Sequence, residues 1–277
     1  MAPLLVKLGL APALIVAATL AARRWGPRAG GVVAAFPAIV GPLLLVTVLQ
    51  HGLHAATEAA DGTLLGLVGL AAFAVLYAET ACRHRRWPSS LIAGWVAAAL
   101  STSVAGIWLH GIGAASGLVA TLALLSAAFL LMRRGPGDGA ALPLSGPGTV
   151  TLRAVTTALL VTGLAWAVGH LGPLAGGVLA ALPLLASLLA VFTHREAGPD
   201  AAVEVLRGTV FGMTGFVVFC QIVAVTVVPY GPAMAFALAT SAALLAQAAM
   251  TRYASARNSA GRSGEASASA RVSPSAS

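Results

Sequence analysis

Nine stretches of about twenty apolar residues, separated by short polar turns, dominate this chain; a run of that length matches the hydrocarbon thickness of a bilayer when helical. They lie at 3–22, 30–50, 60–82, 89–109, 112–132, 150–169, 174–193, 205–228 and 231–250. In lipid the backbone must satisfy its own polar groups, so each run is expected to be a helix. Of the 277 residues, 58% are hydrophobic and only 9% charged. So few charges cannot cover a water-soluble globule of this size, where about a quarter of residues are normally charged. The run from Ser89 to Met132 is too long for one span and divides at His110-Gly111. The expected fold is all-α: a polytopic transmembrane bundle of nine helices.

The sixteen Lys and Arg residues set an orientation. With the N-terminus outside, Arg23, Arg24, Arg28, Arg83, Arg85, Arg86, Arg133, Arg134, Arg153, Arg195 and Arg207 all fall on the inside. Arg252, Arg257, Arg262 and Arg271 of the tail join them, leaving Lys7 as the exception. Such a bias is the positive-inside signature. It also accounts for the net charge of +8 without nucleic acid, because the basic residues sit between apolar runs and form no patch or arm. A cleaved leader is the competing reading of the first span, but Arg23, Arg24 and Arg28 after the run suit a retained helix. Cys82 and Cys220 offer neither a disulfide framework nor metal-ligand spacing and read as small buried apolar residues.

An internal repeat at an offset of 146 residues adds a second constraint. GPRAGGVVAAFP at 26–37 returns as GPLAGGVLAALP at 172–183. Without a gap, Glu58, Gly62, Thr63, Gly66, Gly69 and Phe73 then pair with Glu204, Gly208, Thr209, Gly212, Gly215 and Phe219. Each copy holds four spans and the fifth span joins them, so the copies begin on opposite sides. That is an inverted-topology repeat, common among secondary transporters. The division is 1–110 for the first repeat, 111–149 for the linking helix and a Gly/Pro-rich loop, and 150–251 for the second repeat. Residues 252–277, rich in Ser, Ala and Gly, are expected to be a disordered cytoplasmic tail.

Pro37 and Pro183 interrupt the second and seventh spans at matching positions, followed by Gly41 in one copy and Ser187 in the other. Paired broken helices point to a transporter site, because freed backbone groups need protein or a cavity; a packing kink without a ligand is the alternative. Glu58 and Glu204 extend the glycine stripes of the third and eighth spans, so both are expected to face the bundle as substrate-binding or proton-coupling groups. Interfacial carboxylates wetted by headgroups are the alternative. His51, His54, Glu58 and Asp61 share helical spacing that could hold a metal, but the second copy does not repeat the set, and a polar connection explains them as well. Gln221, Gln247, Thr47 and Thr193 are expected to bond between helices, and Glu79 to pair with Arg83.

The Gly-Gly…Pro helix and its arginine-bearing hairpin resemble poorly characterised bacterial inner-membrane families, including the small GlpM-like membrane proteins. That resemblance implies a multi-pass protein of a bacterial plasma membrane and carries over no catalytic or ligand residue. No phosphate-binding loop, nucleophile elbow or zinc-protease motif is present, so no enzyme activity and no cofactor are expected. The expected function is a secondary transporter or permease for a small solute or ion, with the lipid bilayer as its surroundings. A non-transporting subunit of an envelope-biosynthesis assembly and a lipid scramblase are the alternatives, and homo-oligomer formation is left open.

Overall fold

The computed structural model describes residues 16–34, 52–108, 114–132 and 182–272, with isolated helical positions at 41, 44, 45, 47, 48, 155, 156, 159 and 178. All regular structure among them is helical. The helices are α1 (16–25), α2 (Pro27–Ala34), α3 (Leu53–His84), α4 (Trp87–Trp108), α5 (Ala114–Leu131), α6 (Leu184–Ala197) and α7 (Pro199–Val272). Three stretches, Leu53–His84, Trp87–Ile107 and Pro199–Ala249, are long and apolar enough to cross a membrane. The expected first and sixth spans, the 133–149 linker and the break at His110-Gly111 lie largely or wholly outside the described residues.

Gly-Pro corners shape the bundle. Gly26, Gly198 and Gly231 have φ of 91°, 88° and 76°, and each is followed by a proline that opens the next helix. The glycine supplies the left-handed residue that ends one helix, and the proline needs no backbone partner in the first turn of the next. The Gly198 N–H closes α6 on the His194 carbonyl at 3.1 Å. At the α3–α4 corner the left-handed position is Arg85 (φ 51°), whose N–H bonds the Ala81 carbonyl. Gly231 lies inside α7 and divides it into two arms. Those arms fold back on each other, because Phe219 and Phe236 stack edge to face at 6.0 Å and Gly215 meets Ala243. The expected eighth and ninth spans thus form a helical hairpin. α3 and α4 form another, with Phe73 against Trp95 at 6.3 Å and Gly69 against Ala98.

The core lies between α3 and the first arm of α7. Phe73, Tyr77, Leu67, Leu206 and Met213 are fully enclosed there. These helices run antiparallel: Tyr77, near the end of α3, meets His194 just before α7 begins, while Asp61, near the start of α3, lies by Cys220 well along α7. α4 is peripheral, and its Ile92, Val96, Leu100, Val104 and Ile107 form an exposed apolar stripe.

The helical backbone of α7 continues to Val272. One expectation changes here. Cys82 is exposed rather than buried, because it stands on the outer side of the last turn of α3; Cys220 is buried as expected.

Candidate functional site

The arginine-bearing end of the bundle contains a buried charged cluster. α7 is enclosed on every side from Ala202 to Met213, so Glu204, Arg207 and Thr209 have no route to the surface of that helix. Arg207 Nε lies 3.6 Å from Glu204 Oε1, both side chains being only 4% exposed. The Arg207 guanidinium also donates to the carbonyl of Met132, at the end of α5. It lies over the Phe129 ring, 4.9 Å from the centroid. Arg28, from the first turn of α2, approaches the same ring at 5.6 Å and the Phe211 ring at 5.6 Å. Two glycines permit this arrangement. Gly208, next to Arg207, touches the Arg28 backbone, and Gly31 touches the backbone of Val205 and Thr209, so a Cβ at either place would collide with main chain.

A second buried contact joins α3 to α6 at the same end. Tyr77 Oη lies 3.2 Å from His194 Nδ1, and His194 Nε2 lies 3.4 Å from the Arg85 carbonyl. A carbonyl can only accept, which assigns the ring proton to Nε2 and leaves Nδ1 to accept from the tyrosine hydroxyl. The two rings meet edge to face at 6.0 Å. Burial holds the His194 imidazole below its ordinary value; its bond to Arg85 and the charge of Asp200 oppose that shift, and the Arg85 charge adds to it. Arg195, beside it, lies over Trp87 at 5.9 Å.

The structure treats the expected site residues unevenly. Pro37 lies outside the described residues. Gly41 is helical and its α-carbon faces Phe219. Pro183 is the cap of α6, which starts at Leu184. Both the N–H (2.7 Å) and the hydroxyl of Ser187 donate to the Pro183 carbonyl. Glu204 is buried, as its stripe requires.

Glu58 is not buried; it is exposed, together with His54 and Asp61. At the start of α3 the buried residues are Ala56, Ala59, Ala60, Gly62, Thr63 and Leu64. At 100° per residue Gly62 lies at one edge of their arc and Glu58 falls beyond that edge, roughly 150° from the centre of the arc. Among the described residues no group of three His, Cys, Asp or Glu side chains could hold a metal; His51 lies outside them. Glu79 and Arg83 pair at 2.8 Å. Gln221 Oε1 and Thr193 Oγ1 are buried without hydrogen-bond partners, so the interhelical bonds expected of them are not made.

Two glycines that match in the sequence alignment of the halves make similar contacts. Gly69 sits against the Ala98 carbonyl and the Thr102 hydroxyl of α4; Gly215, its equivalent, sits against the Ala243 carbonyl and the Gln247 side chain in the second arm of α7. In both hairpins a glycine α-carbon faces a carbonyl and a polar side-chain oxygen one turn apart, an arrangement that favours Cα–H···O contacts. Sequence reading passed over Arg28, Phe129, Phe211, Tyr77 and His194. A signal existed for the first: the repeat has Leu174 where Arg28 stands, and Asp61 where Arg207 stands.

Comparison with known proteins returns one family, described as a protein of unknown function (DUF3147), over residues 4–109. That segment is nearly the whole of the first repeat and less than half of the chain. The family is described otherwise than as GlpM-like, so the GlpM resemblance rests on the sequence pattern alone. No curated protein matches. No solved structure matches either.

Proposed function

We propose that this chain is a multi-pass protein of a bacterial plasma membrane that moves a small solute across it, coupled to protons through Glu204. The topology in this reading has nine spans, the N-terminus outside, the arginine-bearing end in the cytoplasm and two inverted halves. The antiparallel run of α3 and the first arm of α7 supports the inversion, as do the matching glycine contacts at Gly69 and Gly215. One observation carries the functional reading: the Glu204–Arg207 pair, enclosed in a helix apolar enough to span a bilayer. A buried ion pair is a poor way to add stability, since desolvation offsets much of its attraction. Ionisable groups inside a membrane bundle are read as functional for that reason.

The test is purified protein in liposomes, assayed for uptake of a panel of small solutes under an imposed pH gradient, with lipid scrambling followed in parallel. Uptake whose pH dependence disappears in Glu204→Gln, at near-normal membrane abundance, is the expected result. Scrambling without uptake would replace the permease reading with a scramblase. Neither activity would leave a non-transporting role.

A further inference from the structure

We propose that Tyr77 and His194 form a proton-operated latch between the two halves of the chain at the arginine-bearing end, shut while the imidazole is neutral and released when it is protonated. The inference goes beyond the permease reading, because the latch can be measured in a protein that transports nothing.

The two residues stand 117 positions apart, one in each half. His194 is only 6% exposed and joins two corners of the bundle. Its Nε2–H donates to the carbonyl of Arg85, the left-handed residue that turns α3 into α4. Its own main-chain carbonyl accepts the Gly198 N–H at 3.1 Å, which closes α6 before the turn into α7. Its Nδ1 accepts from Tyr77 of α3, 3.2 Å away. A single residue therefore ties the α3–α4 corner to the α6–α7 corner. The 146-residue offset pairs Tyr77 with Val223 and His194 with Val48, both buried and apolar. The matching positions in the other halves thus carry no titratable pair, and the latch reads the pH of one side.

A neutral imidazole has one donor and one acceptor, and both are used. A second proton on Nδ1 removes the acceptor, so the Tyr77 hydroxyl must turn to accept instead. It also puts a full charge in an enclosed place. The charged groups that face the ring are Arg85 after α3, which repels an imidazolium, and Asp200 in the first turn of α7, which attracts one. Arg195 and Glu196 follow on α6 itself; Arg195 is exposed and lies over the Trp87 ring of α4 at 5.9 Å. Burial and the Arg85 charge outweigh the Arg85 carbonyl and Asp200, holding the enclosed ring below its ordinary value. A ring released into water takes up the proton more readily, so acid favours the open arrangement by linkage. The latch is accordingly shut above the ordinary histidine range and let go below it.

Full-length protein in phosphatidylcholine nanodiscs is followed by hydrogen–deuterium exchange between about pH 8 and about pH 5, with protection corrected for the intrinsic pH dependence of exchange. The expected result is a loss of protection on acidification at the two corners, residues 83–87 and 194–202, while the enclosed stretch 203–213 of α7 keeps its protection. His194→Asn, whose amide donates and accepts without titrating, should hold the corners equally protected at both ends of the range. His194→Gln serves the same purpose should the asparagine variant fail to fold. Tyr77→Phe should lower protection at the corners already at the alkaline end, because the latch loses one of its bonds. Glu204→Gln should leave the response in place. Wild-type corners equally protected at both ends of the range overturn the proposal, as does an acid response that survives in a folded His194 variant. Loss spread evenly through 203–213 also overturns it, since that is global unfolding rather than release of a latch. A response abolished by Glu204→Gln and kept in the His194 variants assigns the proton to the ion pair and sinks the latch.

Discussion

Single side chains at the arginine-bearing end differ in what they make measurable. His194 is held neutral by burial, with its folded value below the ordinary 6.5. A depressed histidine contributes stability that is present above its unfolded value and is lost as the pH falls, because the unfolded chain takes up the proton more readily. Thermal stability in detergent should therefore drop as the pH is lowered below about 6.5, and His194→Asn should flatten that dependence. Tyr77→Phe leaves Nδ1 without its donor at a buried place and is expected to cost about 1–2 kcal/mol. The glutamates form a second contrast. Glu204→Gln removes a buried charge from an ion pair, whereas Glu58→Gln alters an exposed group. In the uptake assay the first should abolish pH dependence and the second should leave it intact; equal effects would mean that Glu204 is not the coupling group.

Between helices, contact depends on small residues and on where prolines stand. Gly208 and Gly31 bring α2 and α7 to backbone contact, so even one methyl group must displace main chain rather than a flexible tip. Gly208→Ala should cost about 1–3 kcal/mol, the range for overpacking a tight site. It should also lower the yield of folded protein on size-exclusion chromatography. Gly106→Ala is the control, since nothing lies within 4 Å of a Cβ there. Pro183 belongs to the same scale. It caps the start of α6, and Ser187 donates to its carbonyl. Ser187→Ala removes only the second of two donors to that carbonyl. It should leave abundance nearly unchanged, which membrane quantification can check.

Across the whole molecule, the two sequence halves supply the two helices of the core, running in opposite directions, each closed by its own hairpin. The proposed duplication, with an odd span between the copies, would place them so. It predicts that reporter fusions after residues 55, 112 and 172 read outside, and those after 86, 140 and 260 inside. A reversed pair would break the nine-span topology. The halves are unlike in charge. The first places Glu58 and Asp61 where the second places Glu204 and Arg207, and only the second seals its charges inside.

Helix content was legible in the residues themselves, because it rests on local physics: twenty apolar residues make a helix in lipid. The Glu79–Arg83 pair was legible for the same reason. Burial was not, because periodicity defines a stripe on a helix but not which neighbours cover it. Glu58 and Glu204 occupy the same place in the repeat, yet one meets solvent and the other is enclosed, since α2 and α5 pack against the start of α7. The pairing of Tyr77 with His194, 117 positions apart, and of Arg28 with Phe129 and Phe211 arises only when distant helices meet. Tertiary packing, by choosing which side chains lose water, decided where the charged cluster lies.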